Sequence, residues 1–168
     1  MERSGAEPLA PAAAFPGAVL SLPFGAFGLR EVAGEVVELC FLPPDTPPAA
    51  PTSAEARAVA DWIDAYLADP HQPPPMPLPA HGGTPFRQRV WQAIAAIPCG
   101  EVRRYGDLAV HLASAPRAVG RACGDNPFPL MIPCHRVVGA TGLGGFAHAR
   151  DGHLLQAKRW LLAHEGVL

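Results

Sequence analysis

The sequence predicts an α/β chain of the α+β kind: a small sheet-plus-helix unit first, then a helical unit containing a helix-turn-helix. Three observations predict it. Short, partly β-branched runs broken by Gly25, Gly28 and Gly34 are confined to residues 18–42, while helical apolar spacing dominates from residue 53 onward. Prolines crowd the first half, with 15 of the 21 before residue 84. Hydrophobic residues make up 49% of the 168, enough for one medium domain or two small ones with a real core.

Residues 1–16 have acidic residues and prolines where a secretory signal would need a basic start, so they read as a disordered tail on a cytoplasmic protein. No run approaches the roughly 18 apolar residues of a membrane span, and no membrane association is expected. Three short strands with tight turns are predicted at 18–22, 26–32 and 35–42. A helix is predicted over 53–69, with Ser53 as N-cap and Val59, Trp62, Ile63 and Tyr66 on its apolar face. "PPDTPPAAP" and "PHQPPPMPLP" can be neither helix nor central strand, because each proline lacks a backbone donor and fixes φ. The first unit is therefore drawn as 17–79, with the second proline run as a linker at its end.

The second unit, 84–168, reads as short helices. Thr84 caps a helix with Pro85 in its first turn and Phe86, Val90, Trp91, Ile94 and Ile97 on one face, stopping at Pro98 and Gly100. A short helix over 104–113, with Leu108 and Leu112 inward, is followed after a break at Ser114–Pro116 by another over 115–126. The latter carries Arg117 and Arg121 four residues apart, the pattern of a helix-turn-helix. The last helix, 153–166, buries Leu154, Leu155, Ala157, Leu161 and Leu162 and is capped by Gly166.

The net charge of −2 conceals a split: residues 1–83 hold 3 Arg and 10 acidic residues, whereas 84–168 hold 10 Lys or Arg and 5 acidic residues. The second half therefore suits a polyanion, or alternatively the first half itself. The four cysteines, Cys40, Cys99, Cys123 and Cys134, form no CxxC pair, which fits a reducing compartment. Cys40 and Cys99 are expected to be structural, and His148, His153 and His164 to lie on the surface. His71 and His81 lie in proline-rich loops with only Cys40 as a thiol partner, so no metal is expected.

The stretch "LMIPCHRVVG" places a thiol next to an imidazole behind an apolar run. A reactive thiol needs a base and an orienting carboxylate. On an extended segment, adjacent side chains point to opposite faces, so His135 would reach Cys134 through a water or a turn. Glu165 is the best orienting carboxylate, because Glu101 and Asp107 sit beside Arg103 and Arg104 and read as solvated pairs. Cys134–His135–Glu165 is thus a candidate triad, the alternative being a buried structural cysteine.

"FRQRVWQAIAAIPCGEVRRYGDLA", "RAVGRACGDNPFPLMIPCHRVV" and "KRWLLAHEG", in that order, resemble the O6-alkylguanine-DNA alkyltransferases. The resemblance implies a ribonuclease-H-like N-terminal fold and a winged helix-turn-helix. It also implies irreversible, stoichiometric transfer of a methyl or other alkyl group from O6-alkylguanine in double-stranded DNA to Cys134, with O4-alkylthymine as a further candidate substrate. No cofactor is implied, and a monomer is expected. His135 and Glu165 take the activating roles, Tyr105 donates to the purine, and Asn126 bonds the turn before the active-site loop. Arg117 fills the stack when the damaged nucleotide is flipped out, with Ala118, Arg121, Arg103 and Arg104 as further DNA-binding residues. Pro129, Val137, Phe146 and Ala147 are expected to line the guanine and alkyl pocket. Two residues depart from the family pattern: Cys123 in the recognition helix, and Asp125, a negative charge near the DNA face. The segment "FAHARDGH" is also longer and more polar than the family's loop. A cysteine hydrolase with the same triad and a non-catalytic helix-turn-helix regulator are the alternative readings.

Overall fold

Three antiparallel strands, β1 (Gly17–Leu22), β2 (Gly25–Val32) and β3 (Glu35–Leu42), pair in the order β1-β2-β3. The chain is described by a computed structural model over residues 15–75, 82–149 and 152–168. Residues 1–14 of the tail expected over 1–16, the end of the proline linker at 76–79, and His81 lie outside the described residues. Ala33 and Gly34, both at positive φ (52° and 82°), make the two-residue turn that joins β2 to β3. This backbone twist matches that of the flanking strands.

Helix α1 (Ala54–Ala68) begins at Ser53, whose side chain accepts the Ala56 N–H at 3.1 Å. The Glu31 carboxylate, on β2, accepts the Ser53 backbone N–H at 2.8 Å, so sheet and helix are joined at the cap. Val59 and Ile63 of α1 pack with Phe27, Leu29 and Leu39 in the core, all of them buried.

The C-terminal half comprises α2 (Pro85–Ala95), β4 (Arg103–Arg104), α3 (Tyr105–His111), α4 (Pro116–Gly124), a 3-10 turn (Cys134–Arg136), β5 (Val137–Val138) and α5 (Gly152–His164). Thr84 caps α2 as expected, and the indole N–H of Trp91 donates to the Ala122 carbonyl at 2.8 Å, fastening α2 to α4. Helices α3 and α4 pack on each other as the helix-turn-helix, and β4 and β5 pair in parallel beside it. At the end of α5 the Val167 N–H reaches Leu162 O and the Gly166 N–H reaches Ala163 O, with Gly166 at φ 82°. This paired capping pattern explains why a glycine stands there.

One continuous apolar cluster runs through both halves. Its seam is aromatic: Phe24 meets Trp160 of α5 at 5.4 Å, and Phe41 of β3 meets Phe146 edge-on at 5.0 Å. The Leu39 N–H also donates to Pro127 O at 2.9 Å, so β3 braces the loop that follows α4. No helix among the described residues is long and apolar enough to cross a membrane.

Two expectations for α5 need correction. Leu154 and Leu155 are only half-buried, and the buried stripe includes Lys158, which is 0% exposed. Lysine is tolerated there because its ammonium finds three carbonyls, as described below. Because Ile94 is fully buried on α2, Ile94→Ala should lower the unfolding free energy by about 2–5 kcal/mol in urea denaturation.

Candidate active site

Residues 128–135 are buried without interruption, so the approach to Cys134 is held by packing. Asn126 closes this loop: its Nδ2 donates to Ile132 O and its Oδ1 accepts the Phe128 N–H, both at 2.9 Å. Leu130, at φ 73°, makes the sharp bend between them. Cys134 and His135 then sit in a 3-10 turn. The extended geometry expected here is therefore replaced by a turn, consistent with Pro133 entering it at ψ 66°.

The His135 Nε2 lies 2.6 Å from Glu165 Oε2, with both side chains almost wholly buried. A carboxylate acceptor fixes the proton on Nε2 and leaves Nδ1 as the basic nitrogen. That Nδ1 is buried and has no hydrogen-bond partner among the described residues. Arg136 forks onto Glu165, Nε to Oε1 at 2.7 Å and Nη2 to Oε2 at 3.2 Å, and its Nη1 donates to Ile97 O. Tyr66 of α1 donates its hydroxyl to Oε2 at 2.6 Å.

Burial by itself would raise the Glu165 carboxyl, but the hydrogen bonds from His135, Arg136 and Tyr66 outweigh it and hold the group at about 2. Burial pushes the Cys134 thiol up to about 11, against the Asn126 side chain and the Lys158 charge. Burial likewise lowers His135, against the pull of Glu165. At neutral pH the pair is thus thiol and neutral imidazole.

Cys134 opens onto a cavity of about 450 Å³. Its wall includes Tyr105, Arg117, Arg121, Cys123, Phe146 and His148. The Tyr105 hydroxyl donates to Gly145 O at 3.0 Å, and burial keeps the phenol protonated well above its usual range. Gly144 lets this loop pass: a Cβ there would lie 2.9 Å from the Tyr105 ring and 3.0 Å from the Gly139 nitrogen. Lys158 gathers the same loop by donating to Val137 O, Leu143 O and Gly145 O at 2.7, 2.6 and 2.9 Å. Its burial lowers the ammonium to about 8.

"FAHARDGH" begins as a two-residue turn in which Phe146 and Ala149 exchange backbone hydrogen bonds at 2.8 Å. Ala147 and His148 are both at positive φ within it. His148 packs over Gly124, where a Cβ would fall 2.3 Å from the ring, and bonds Asp125 at 3.0 Å. Asp125 also pairs with Arg87 at 2.6 Å. The negative charge expected near the DNA face is therefore balanced within the protein.

Of the residues expected from the sequence, Cys134, Tyr105, Arg117, Arg121, Phe146 and Ala147 meet at this cavity, and His135, Asn126 and Glu165 stand behind it. Ala118 lies on the neighbouring groove between α2 and α4, which also takes in Arg117 and Arg121. Pro129 and Val137 are buried off the cavity wall: Pro129 is bridged to Ile132, and Val137 is paired with Arg103 in β5. Arg103 and Arg104 are on β4, away from the cavity, and Arg103 bonds Glu101 and Val102 O. His164 is not a surface residue; its ring packs between Tyr66 and Trp160 and donates to Tyr66 O at 2.9 Å. Sequence reasoning missed Lys158, Arg136 and Tyr66. A lysine and a tyrosine at apolar helical positions, and the arginine directly after His135, were signals for them.

The family model for the DNA-binding domain of 6-O-methylguanine DNA methyltransferase matches residues 85–167. A constitutive methylated-DNA–protein-cysteine methyltransferase of Bacillus subtilis is 40% identical over 120 residues, which cover 70% of this chain and 68% of that one. The chain belongs to the O6-methylguanine-DNA methyltransferase family. Mycobacterium tuberculosis OGT, in a crystal structure in complex with DNA, superposes with a TM-score of 0.72 at 33% identity, covering 89% of this chain and 92% of that one. The Salmonella typhimurium methylated-DNA–protein-cysteine methyltransferase is 53% identical over 92 residues. That match covers 53% of this chain and about half, 51%, of the Salmonella protein.

Membership explains why the motif order extends from Phe86 to Glu165, and the buried carboxylate has a measurable signature. Its folded value of about 2 lies below the ordinary 4.5, so its stabilising contribution is complete above about 4.5 and is lost as the pH falls through about 2. Glu165→Gln should therefore melt well below wild type at neutral pH. The gap should narrow between pH 4.5 and 2 in thermal unfolding followed by circular dichroism.

Proposed function

We propose that this protein repairs DNA by direct reversal, moving a methyl or other alkyl group from O6 of guanine to Cys134. The observation that carries this reading is a buried thiol at the floor of a cavity walled by the recognition helix α4, backed by a His135–Glu165 pair. The damaged base would enter the cavity only after leaving the duplex stack, and Arg117, exposed on α4 at the cavity rim, is placed to fill the gap.

In the step itself, Cys134 Sγ would attack the alkyl carbon as the thiol proton passes toward His135 Nδ1 by way of a water, since no described protein group hydrogen-bonds that nitrogen. The bond from carbon to O6 breaks, and the electron pair stays on guanine. Tyr105, on the cavity wall, would donate to the purine as charge develops on it, and its raised pKa keeps the phenol protonated. Glu165 holds the imidazolium while it lasts. The thioether product has no leaving group, so each molecule acts once. The step uses no cofactor. The basic helical half, residues 84–168, would be the DNA-binding and acceptor unit. Residues 17–79 would be the scaffold that braces it, in a cytoplasmic monomer. Arg121 and Ala118 on α4 would contact DNA beside Arg117, while Arg103 and Arg104 would reach backbone phosphates farther from the cavity.

Duplex DNA carrying labelled O6-methylguanine tests the proposal. Label should move to wild-type protein up to one equivalent and not to Cys134→Ser; turnover beyond one equivalent would favour a hydrolase. Arg117→Ala should slow transfer from duplex DNA by roughly tenfold or more while leaving transfer from free O6-benzylguanine within about twofold. Equal losses on the two substrates would remove the flipping role.

A further inference from the structure

The geometry assigns Tyr66, on α1 of the N-terminal half, as a positioning residue for the proton acceptor His135, acting through Glu165. This rests on the alkyl-transfer reading for its functional meaning. The contact itself is independent of that reading. Tyr66 Oη and His135 Nε2 lie at the same distance, 2.6 Å, from the same oxygen, Glu165 Oε2. The two donors therefore share one acceptor oxygen.

Tyr66 does not contact the alkyl cavity. It lines a separate cavity of about 420 Å³ on the other side of the network, together with Arg136 and Cys99. Any influence on the chemistry must therefore travel through the carboxylate. The helix is held in place for this: Tyr66 O accepts the His164 Nε2 proton at 2.9 Å, from the residue preceding Glu165. The Tyr66 ring also packs edge-on against the His164 ring at 5.3 Å.

The charged and titratable groups around Glu165 come from four places. They are Tyr66 from α1, Cys99 from the turn after α2, His135 and Arg136 from the 3-10 turn, and His164 from the end of α5. Of these, Tyr66, His135 and Arg136 donate to the carboxylate, and Arg136 already uses both oxygens. Burial and the adjacent Glu165 charge raise the Tyr66 phenol far above its usual range, so it remains a donor at every working pH. Hydrogen bonds to a charged acceptor disperse its charge. Removing the Tyr66 hydroxyl returns that charge to the bond with His135, which then holds its proton more firmly.

Tyr66→Phe keeps the ring and removes only the oxygen. The measurement is the rate of Cys134 alkylation by iodoacetamide, and of transfer from O6-methylguanine duplex DNA, across pH 5–9 in the full-length protein. The acid limb of both profiles should move to higher pH, making the variant roughly threefold or more slower at the acid end while it approaches wild type at the alkaline end. Val59→Ala, a packing change in the same helix, should lower thermal stability but leave the limb in place. A uniform loss at every pH, an unmoved limb, or an equal shift in Val59→Ala would overturn the assignment. If wild type alkylates with iodoacetamide but takes nothing from O6-methylguanine DNA, the repair reading fails. The iodoacetamide profile still decides the role of Tyr66.

Discussion

A buried carboxylate must be satisfied on both oxygens or it will not stay charged, and Glu165 imposes that constraint on much of this structure. Its donors come from α1 and from the 3-10 turn after Pro133, and His164 of its own helix fixes α1 by donating to Tyr66 O. No single segment could supply them. The position of α1 against the C-terminal half, and the turn in which Cys134 sits, are thus set in part by the need to surround one negative charge. The same bonds that hold Glu165 ionised fix the orientation of the His135 imidazole. Stability and chemistry share one set of contacts.

A second constraint is the apolar seam between the halves. Phe41 reaches Phe146, and Phe24 reaches Trp160, so the sheet buttresses both the cavity loop and α5. Phe146 is also on the cavity wall. The N-terminal sheet therefore shapes the site without contributing a reactive group. Lys158 completes the arrangement from the opposite side by tying Val137, Leu143 and Gly145 together through one ammonium. A charge at the centre of an otherwise apolar stripe is acceptable because all three of its protons are used.

Much of this was legible in the chain. The strands, the Ser53 and Thr84 caps and the helix-turn-helix follow from alternation, helical spacing and capping chemistry, which are local. Asn126, Cys134, His135 and Glu165 were legible for a different reason: their residue types in a fixed motif order carry a specific chemistry. The 3-10 turn at Cys134 was not, since Pro133 is equally at home before an extended segment. Nor was the placement of Pro129 and Val137 off the cavity wall, because sequence position says which residues are near a loop but not which side of it they face.

By itself, the sequence determined the order of the three N-terminal strands and the main helices, the charge division between the halves and the candidate acceptor cysteine, because these depend on neighbours within a turn or on motif order; the short strands β4 and β5 lie in a half that reads as helices alone. Only the tertiary structure decided that Tyr66 reaches Glu165 Oε2 across 99 residues and shares it with His135, that Asp125 pairs with Arg87 and is hydrogen-bonded by His148, and that Lys158 is buried. Each of these depends on which distant groups arrive at one point, and a buried charge is tolerated only when they do.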